Sequence, residues 1–129
     1  MAFTAYNHDR RSYSTGDRVK FDGVETNIGG HFNESSTFAC PVDGLYFFTF
    51  TIMGDYIEGD EGDVTLRHDG NIVVGAFADY SNNYPQTSNA AVITCSAGEE
   101  VYLQCEFSGY MYSKTDRYVT FSGFLLSEN

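Results

Sequence analysis

Two short runs that mix tyrosine with hydrogen-bonding side chains are where this 129-residue chain could hold a ligand. The first is Asp79-Tyr80-Ser81-Asn82-Asn83-Tyr84, and the second is Tyr110-Met111-Tyr112-Ser113-Lys114-Thr115-Asp116-Arg117. Tyrosine rings cover the apolar faces of sugars, while carboxylates, amides and cations hydrogen-bond hydroxyls. The candidate ligand-binding residues are therefore Asp79, Tyr80, Asn82, Asn83, Tyr84, Tyr110, Tyr112, Lys114 and Arg117. The same residue types are also ordinary loop residues.

Hard oxygen ligands cluster between Gly54 and Asp63, where Asp55, Glu58, Asp60, Glu61 and Asp63 could interest calcium. Asp55, Asp60 and Asp63 are the candidate metal ligands, although the spacing is not that of an EF-hand and a solvated acidic loop needs no ion. No catalytic constellation is evident. The chain has no Gly-x-Ser-x-Gly elbow, His-Glu-x-x-His pair, Cys-x-x-Cys or phosphate-binding glycine loop. His8, His31 and His68 read most simply as surface or turn residues, and the expectation is a binding protein, not an enzyme. Asn33-Glu34-Ser35 is a glycosylation sequon.

Composition narrows the partners. Seven Lys and Arg against 18 Asp and Glu give a net charge of −11, which repels a phosphate backbone. Nucleic acid is excluded on this ground, as is a generic basic patch for anionic lipid; the local cluster Arg10, Arg11, Arg18 and Lys20 is the place where an exception could arise. No run approaches the ~20 apolar residues of a spanning helix, so membrane insertion is not expected. The first residues do not read as a secretory leader. Cys40, Cys95 and Cys105 leave at least one thiol unpaired within the chain. Cys95 and Cys105 flank a hairpin pattern and could approach each other, and buried free cysteine is the preferred alternative.

The elements that must position these residues are strands. The 11 Phe, 10 Tyr and 13 Gly suit pleated surfaces and tight turns, and period-two runs recur with no helical periodicity. Strands are predicted over 2–6, 19–21, 24–28, 45–53, 64–68, 71–78, 90–95, 101–107 and 118–126, with 7–17 as a loop. Tyr46, Phe48, Phe50 and Ile52 share one face of the strongest strand, and Leu45, Phe47, Thr49 and Thr51 share the other. Asp22-Gly23 and Asp69-Gly70 read as two-residue hairpin turns. Gly123 inside an aromatic strand suggests a bulge or a close backbone approach. The fold class is all-β, a jelly-roll sandwich of about ten strands, in a single domain over 1–129.

From Phe21 onward the spacing resembles the complement C1q-type globular domain, within the C1q/tumour necrosis factor-like superfamily. Phe21, Asn27, Phe32, Phe38 and Gly44 stand at the family's intervals, with one residue fewer than usual between Phe32 and Phe38. Gly44-Leu45-Tyr46-Phe47-Phe48-Thr49-Phe50 matches the family's glycine and alternating aromatics. The likeness resumes at Asn71, Gly98 to Gln104 and Thr120 to Leu126. It implies a ten-stranded jelly roll that assembles as a homotrimer, with aromatic strands buried near the three-fold axis. It also implies a secreted, extracellular, lectin-like recognition domain for glycans or microbial surfaces in innate immunity, from which a leader or collagen-like stalk would have been removed. The alternative is a trimeric structural or signalling head that binds a protein partner. Some family members hold calcium near the trimer apex, where Asp79 would supply one ligand here, while Pro85 stands where a second acidic ligand would fall.

Overall fold

Tyr46, Phe48, Phe50 and Ile52 are at most 1% exposed, whereas Leu45, Phe47, Thr49 and Thr51 lie half-buried on the opposite face. This is the alternation a pleated strand imposes, and it makes their strand the centre of the larger sheet. The computed structural model describes residues 1–55, 61–79 and 84–129. Among them are eleven strands: β1 (Ala2–Asn7), β2 (Arg11–Tyr13), β3 (Gly23–Ile28), β4 (Phe38–Ala39), β5 (Gly44–Met53), β6 (Glu61–His68), β7 (Asn71–Asp79), β8 (Gln86–Cys95), β9 (Glu100–Cys105), β10 (Gly109–Met111) and β11 (Val119–Glu128).

They form a five-stranded sheet in the order β3-β1-β11-β5-β8, a four-stranded sheet β4-β9-β6-β7, and a two-stranded ribbon β10-β2. The predicted all-β jelly roll is present. Phe3, Phe48 and Phe121 from the first sheet meet Phe38, Val64, Leu66, Val101 and Leu103 from the second, all buried. Phe3 is the hub of this core. It stacks on Phe32 at 4.6 Å and Phe38 at 5.1 Å and meets Phe121 edge-on at 4.9 Å, geometries in which aromatic pairs add to their burial.

Local chemistry explains the turns. Asp69 and Gly70 have φ of 47° and 87°, the left-handed pair that a two-residue hairpin needs, and His68 pairs with Asn71 across it. The second predicted hairpin is not formed. Residues 19–21 are not a strand, and β3 pairs with β1 instead, because buried Val19 donates its N–H to Leu103 O at 2.9 Å beside β9. The region expected to be loop at 7–17 contains β2, held by β10.

The preferred reading of buried free cysteines is corrected for Cys40 and Cys95 and holds for Cys105, and the alternative approach of Cys95 to Cys105 does not occur. β8 pairs with β5 while β9 pairs with β6 and β4, so the segment between them crosses from one sheet to the other. Cys40 and Cys95 form a disulfide with Cα atoms 6.6 Å apart. Only Cys105 is free and buried; burial, reinforced by the charges of Asp17 and Glu106, pushes its thiol up and leaves it protonated.

Gly123 is required by close approach, though of rings and not of backbone. A Cβ there would stand 2.5 Å from Phe48 Cδ1 and 2.8 Å from Phe3 Cε1, while the register shift in β11 lies further on, between Leu125 and Ser127. Gly123→Ala is therefore expected to cost about 1–3 kcal/mol through overpacking. Denaturant unfolding should show a lower midpoint with an unchanged slope; an unchanged midpoint would mean that the aromatic cluster yields freely.

Candidate functional site

Register fixes which loops share an end of the molecule. Tyr6 opposite Gly23, Asn7 opposite Val119, Thr51 opposite Thr120 and Met53 opposite Gln86 mark one end of the five-stranded sheet. Ala2 opposite Phe124 and Gly44 opposite Glu128 mark the other, where the described chain begins and ends. Both predicted ligand segments flank strand ends at the first of these.

Backbone bonds draw them together. Tyr112 N–H donates to Met53 O at 2.9 Å, and Gly54 N–H donates to Pro85 O at 2.8 Å. Tyr84 and Tyr112 are thereby placed with ring centroids 4.6 Å apart, and Tyr112 lies 6.2 Å from Tyr118 at an interplanar angle of 21°. The loop that carries two of these rings is pinned from below. Buried Ser113 donates its hydroxyl to Asn7 O at 2.5 Å and accepts the Tyr118 N–H at 3.1 Å.

The three half-buried rings form a partly apolar surface with a polar rim. Tyr118 donates its hydroxyl to Asp116 at 2.9 Å, and the Lys114 ammonium lies 5.7 Å from the Tyr118 ring and 3.8 Å from Asp116. The Tyr118 hydroxyl, helped by Asp116 and Tyr112, raises the Lys114 pKa above the ordinary lysine value. Clustered tyrosine rings beside hydroxyl, ammonium and carboxylate groups suit a ligand with both C–H faces and hydroxyls.

The remaining predicted residues separate from this surface. Arg117 takes a left-handed φ of 61°, stacks its guanidinium 3.6 Å above the Tyr6 ring and donates to Glu25 at 2.7 Å. With Tyr6, His8 and Thr115 it lines a shallow cleft of about 220 Å³. Tyr110 lies on β10 beneath the Arg10 guanidinium, which is 3.6 Å from its ring centre. Asp79 ends β7 opposite Glu61, and half-buried Asp63 stands opposite Phe77. Tyr80, Asn82, Asn83, Glu58 and Asp60 lie outside the described residues.

Asp55 is fully buried, and its carboxylate accepts from Arg10 Nε in an ion pair. Among the described residues, Asp55, Asp63 and Asp79 do not converge as a group of ligating atoms. The groups that do are His68, Cys95 and Glu99, and His8, Asp9 and Asp22. In the first, Cys95 is committed to its disulfide. In the second, the two ring nitrogens of His8 face different carboxylates, Asp22 at 2.8 Å and Asp9 at 3.6 Å, so the imidazole already bridges the two acids.

Sequence reasoning missed Tyr118 and Tyr6. Tyr118 read as the first residue of a strand, though it stands six positions after Tyr112 at the far side of a turn. Tyr6 could have been found from alternation, since it neighbours buried Ala5 and must face outward.

The model of the C1q domain family matches residues 2–126. The chain is 38% identical over 112 residues to human complement C1q tumor necrosis factor-related protein 3, covering 85% of this chain and 45% of that protein. Its identity to mouse complement C1q tumor necrosis factor-related protein 2 is 33% over 112 residues, covering 84% of this chain and 37% of the relative. The chain thus spans less than half the length of these curated relatives. In fold it is similar to the globular domain of zebrafish complement 1qA protein, with a TM-score of 0.79, 20% identity, and 99% and 98% of the two chains covered. It is also similar to Eiger TNF from S. frugiperda, with a TM-score of 0.81, 8% identity, and 100% and 94% covered.

Asp55→Asn removes the charged partner of Arg10 at a buried position and is expected to cost about 1–3 kcal/mol. Thermal melts should show the same loss with calcium and with chelator. A wild-type midpoint that itself drops on chelation would assign the acidic region to an ion instead.

Proposed function

This chain belongs to the C1q domain family, and we propose that it is a secreted, non-enzymatic recognition head that binds glycans through the aromatic surface at the end of the sandwich away from the chain termini. The observation that carries this reading is the array of Tyr84, Tyr112 and Tyr118, with the Lys114–Asp116 pair at its edge. Such rings contribute large contact area at low conformational cost, and the rim supplies direction through hydrogen bonds. The Cys40–Cys95 disulfide supports an oxidising, extracellular setting. Recognition of microbial surfaces in innate immunity is supported by the family resemblance.

Homotrimeric assembly completes the proposal, because a shallow sugar site binds weakly and gains from multivalency. It is supported at the opposite end of the sheet. Ile28, Ala2, Phe124, Phe47 and Val92 are register partners in turn across all five strands. Ile28, Phe124 and Val92 are 61%, 42% and 56% exposed. A continuous apolar row on a sheet face marks an interaction surface.

A glycan array probed with the wild-type chain should give a restricted set of hits, and Tyr112→Ala should weaken them about tenfold or more. The variant should melt like wild type, since Tyr112 is half-buried and lies outside the core. Absence of any sugar hit would overturn the glycan reading and favour a head that binds a protein partner, in which the acidic surface steers a basic ligand.

A further inference from the structure

The chain has seven Lys and Arg against 18 Asp and Glu, an imbalance in which every cation has acids to choose from. Four of the seven are paired: Arg10 with Asp55, Arg67 with Glu106, Lys114 with Asp116 and Arg117 with Glu25. Arg11, Arg18 and Lys20 make no ion pair among the described residues. These three line one cleft of about 290 Å³, together with Ser12, Tyr13 and Asp17.

The cleft is built on fixed backbone. Val19, fully buried between Arg18 and Lys20 in sequence, donates to Leu103 O at 2.9 Å. Gly16 N–H donates to Cys105 O at 2.8 Å, and Cys105 N–H donates to Asp17 O at 2.7 Å. Arg18 is held in place by stacking 3.7 Å above the Tyr102 ring and by donating from Nη1 to Thr37 Oγ1 at 2.6 Å, bonds that consume one of its five N–H donors. Buried Tyr13, whose hydroxyl donates to Lys20 O at 3.2 Å, is pushed up to about 12 chiefly by burial, so it lines the cleft as a neutral phenol.

Net charge selects the ligand. Three cations less the single carboxylate of Asp17 leave two positive charges facing the cleft. A phosphate monoester carries about two negative charges near neutrality and offers three acceptor oxygens. A sulfate ester or a carboxylate brings only one charge. A polyanion is disfavoured by the overall −11.

We propose that Arg11, Ser12, Arg18 and Lys20 form a binding site for a phosphate dianion, carried as a monoester on a small molecule such as a sugar or taken up free. Arg11 and Lys20 supply charge that no ion pair among the described residues holds, and Arg18 supplies a pre-oriented guanidinium. The site is separate from the tyrosine surface and does not depend on the glycan reading.

The test is calorimetric titration of the whole chain at low ionic strength with inorganic phosphate, glucose 6-phosphate, glucose and glucose 6-sulfate. Binding of phosphate or glucose 6-phosphate is expected, with the singly charged sulfate ester weaker and glucose silent; which phosphate gives heat identifies the source. Arg11→Gln and Lys20→Gln should each weaken binding about tenfold, with unchanged thermal melts because neither side chain is in an ion pair among the described residues and neither belongs to the core. Asp17→Asn should strengthen it several-fold, since asparagine keeps the acceptor for the Ser14 N–H bond seen at 2.8 Å while removing the opposing charge. Tyr112→Ala should leave phosphate binding intact, which separates this site from the glycan surface. No heat with either phosphate, glucose binding as well as glucose 6-phosphate, or affinity indifferent to Arg11→Gln and Lys20→Gln would each overturn the proposal.

Discussion

A strand with large apolar groups on both faces can bury only one face inside its own sandwich, and β5 is such a strand. Tyr46, Phe48, Phe50 and Ile52 fill the space between the sheets, and their packing sets the demands on everything around them. Gly123 must lack a side chain because the rings of Phe48 and Phe3 occupy its place. Tyr46 reaches the floor of the core and donates its hydroxyl to Val42 O at 2.7 Å, satisfying the polar end of a fully buried ring. Phe47, on the other face, meets Phe124 at 5.4 Å and leaves an apolar row facing outward.

That asymmetry divides the molecule lengthwise. Near the chain termini the outer sheet face is apolar through Ile28, Phe124, Phe47 and Val92. One row further along, it becomes hydroxyl-bearing with Thr26, Thr4, Ser122 and Thr49 in register, and Thr4 and Ser122 hydrogen-bond at 2.8 Å. Beyond the last row lie the loops that carry the tyrosine surface. Six of the seven basic residues fall between 10 and 20 or between 114 and 117, in the stretches that follow β1 and precede β11. Assembly through the apolar row would leave the opposite end open to ligands and point identical sites the same way.

Much of this was legible from the residues alone. β5 announced itself through uninterrupted alternation, and the turn at Asp69-Gly70 through a dipeptide that tolerates positive φ. The short strands β2, β4 and β10 were not legible, because two or three residues carry no period of their own and exist only where a partner strand passes. Val19 to Phe21 looked like a strand for the opposite reason: Val19 is buried by β9, outside any hairpin. The Cys40–Cys95 link joins positions 55 residues apart, a proximity that follows from the topology and not from local pattern. At the candidate site, composition singled out Tyr84 and Tyr112. Only the backbone bonds at Met53 and Pro85 show that they touch, and only three-dimensional pairing shows which cations are left over.

The central claim is that the outer face of the five-stranded sheet is an assembly surface and the far end is the binding surface. Sedimentation equilibrium at micromolar concentration tests it directly, comparing the wild-type chain with Phe124→Glu, which would place like charges in the apolar row. The account predicts a wild-type mass three times the 14.4 kDa chain and a folded, monomeric variant. A wild-type chain that sediments at 14.4 kDa would contradict it.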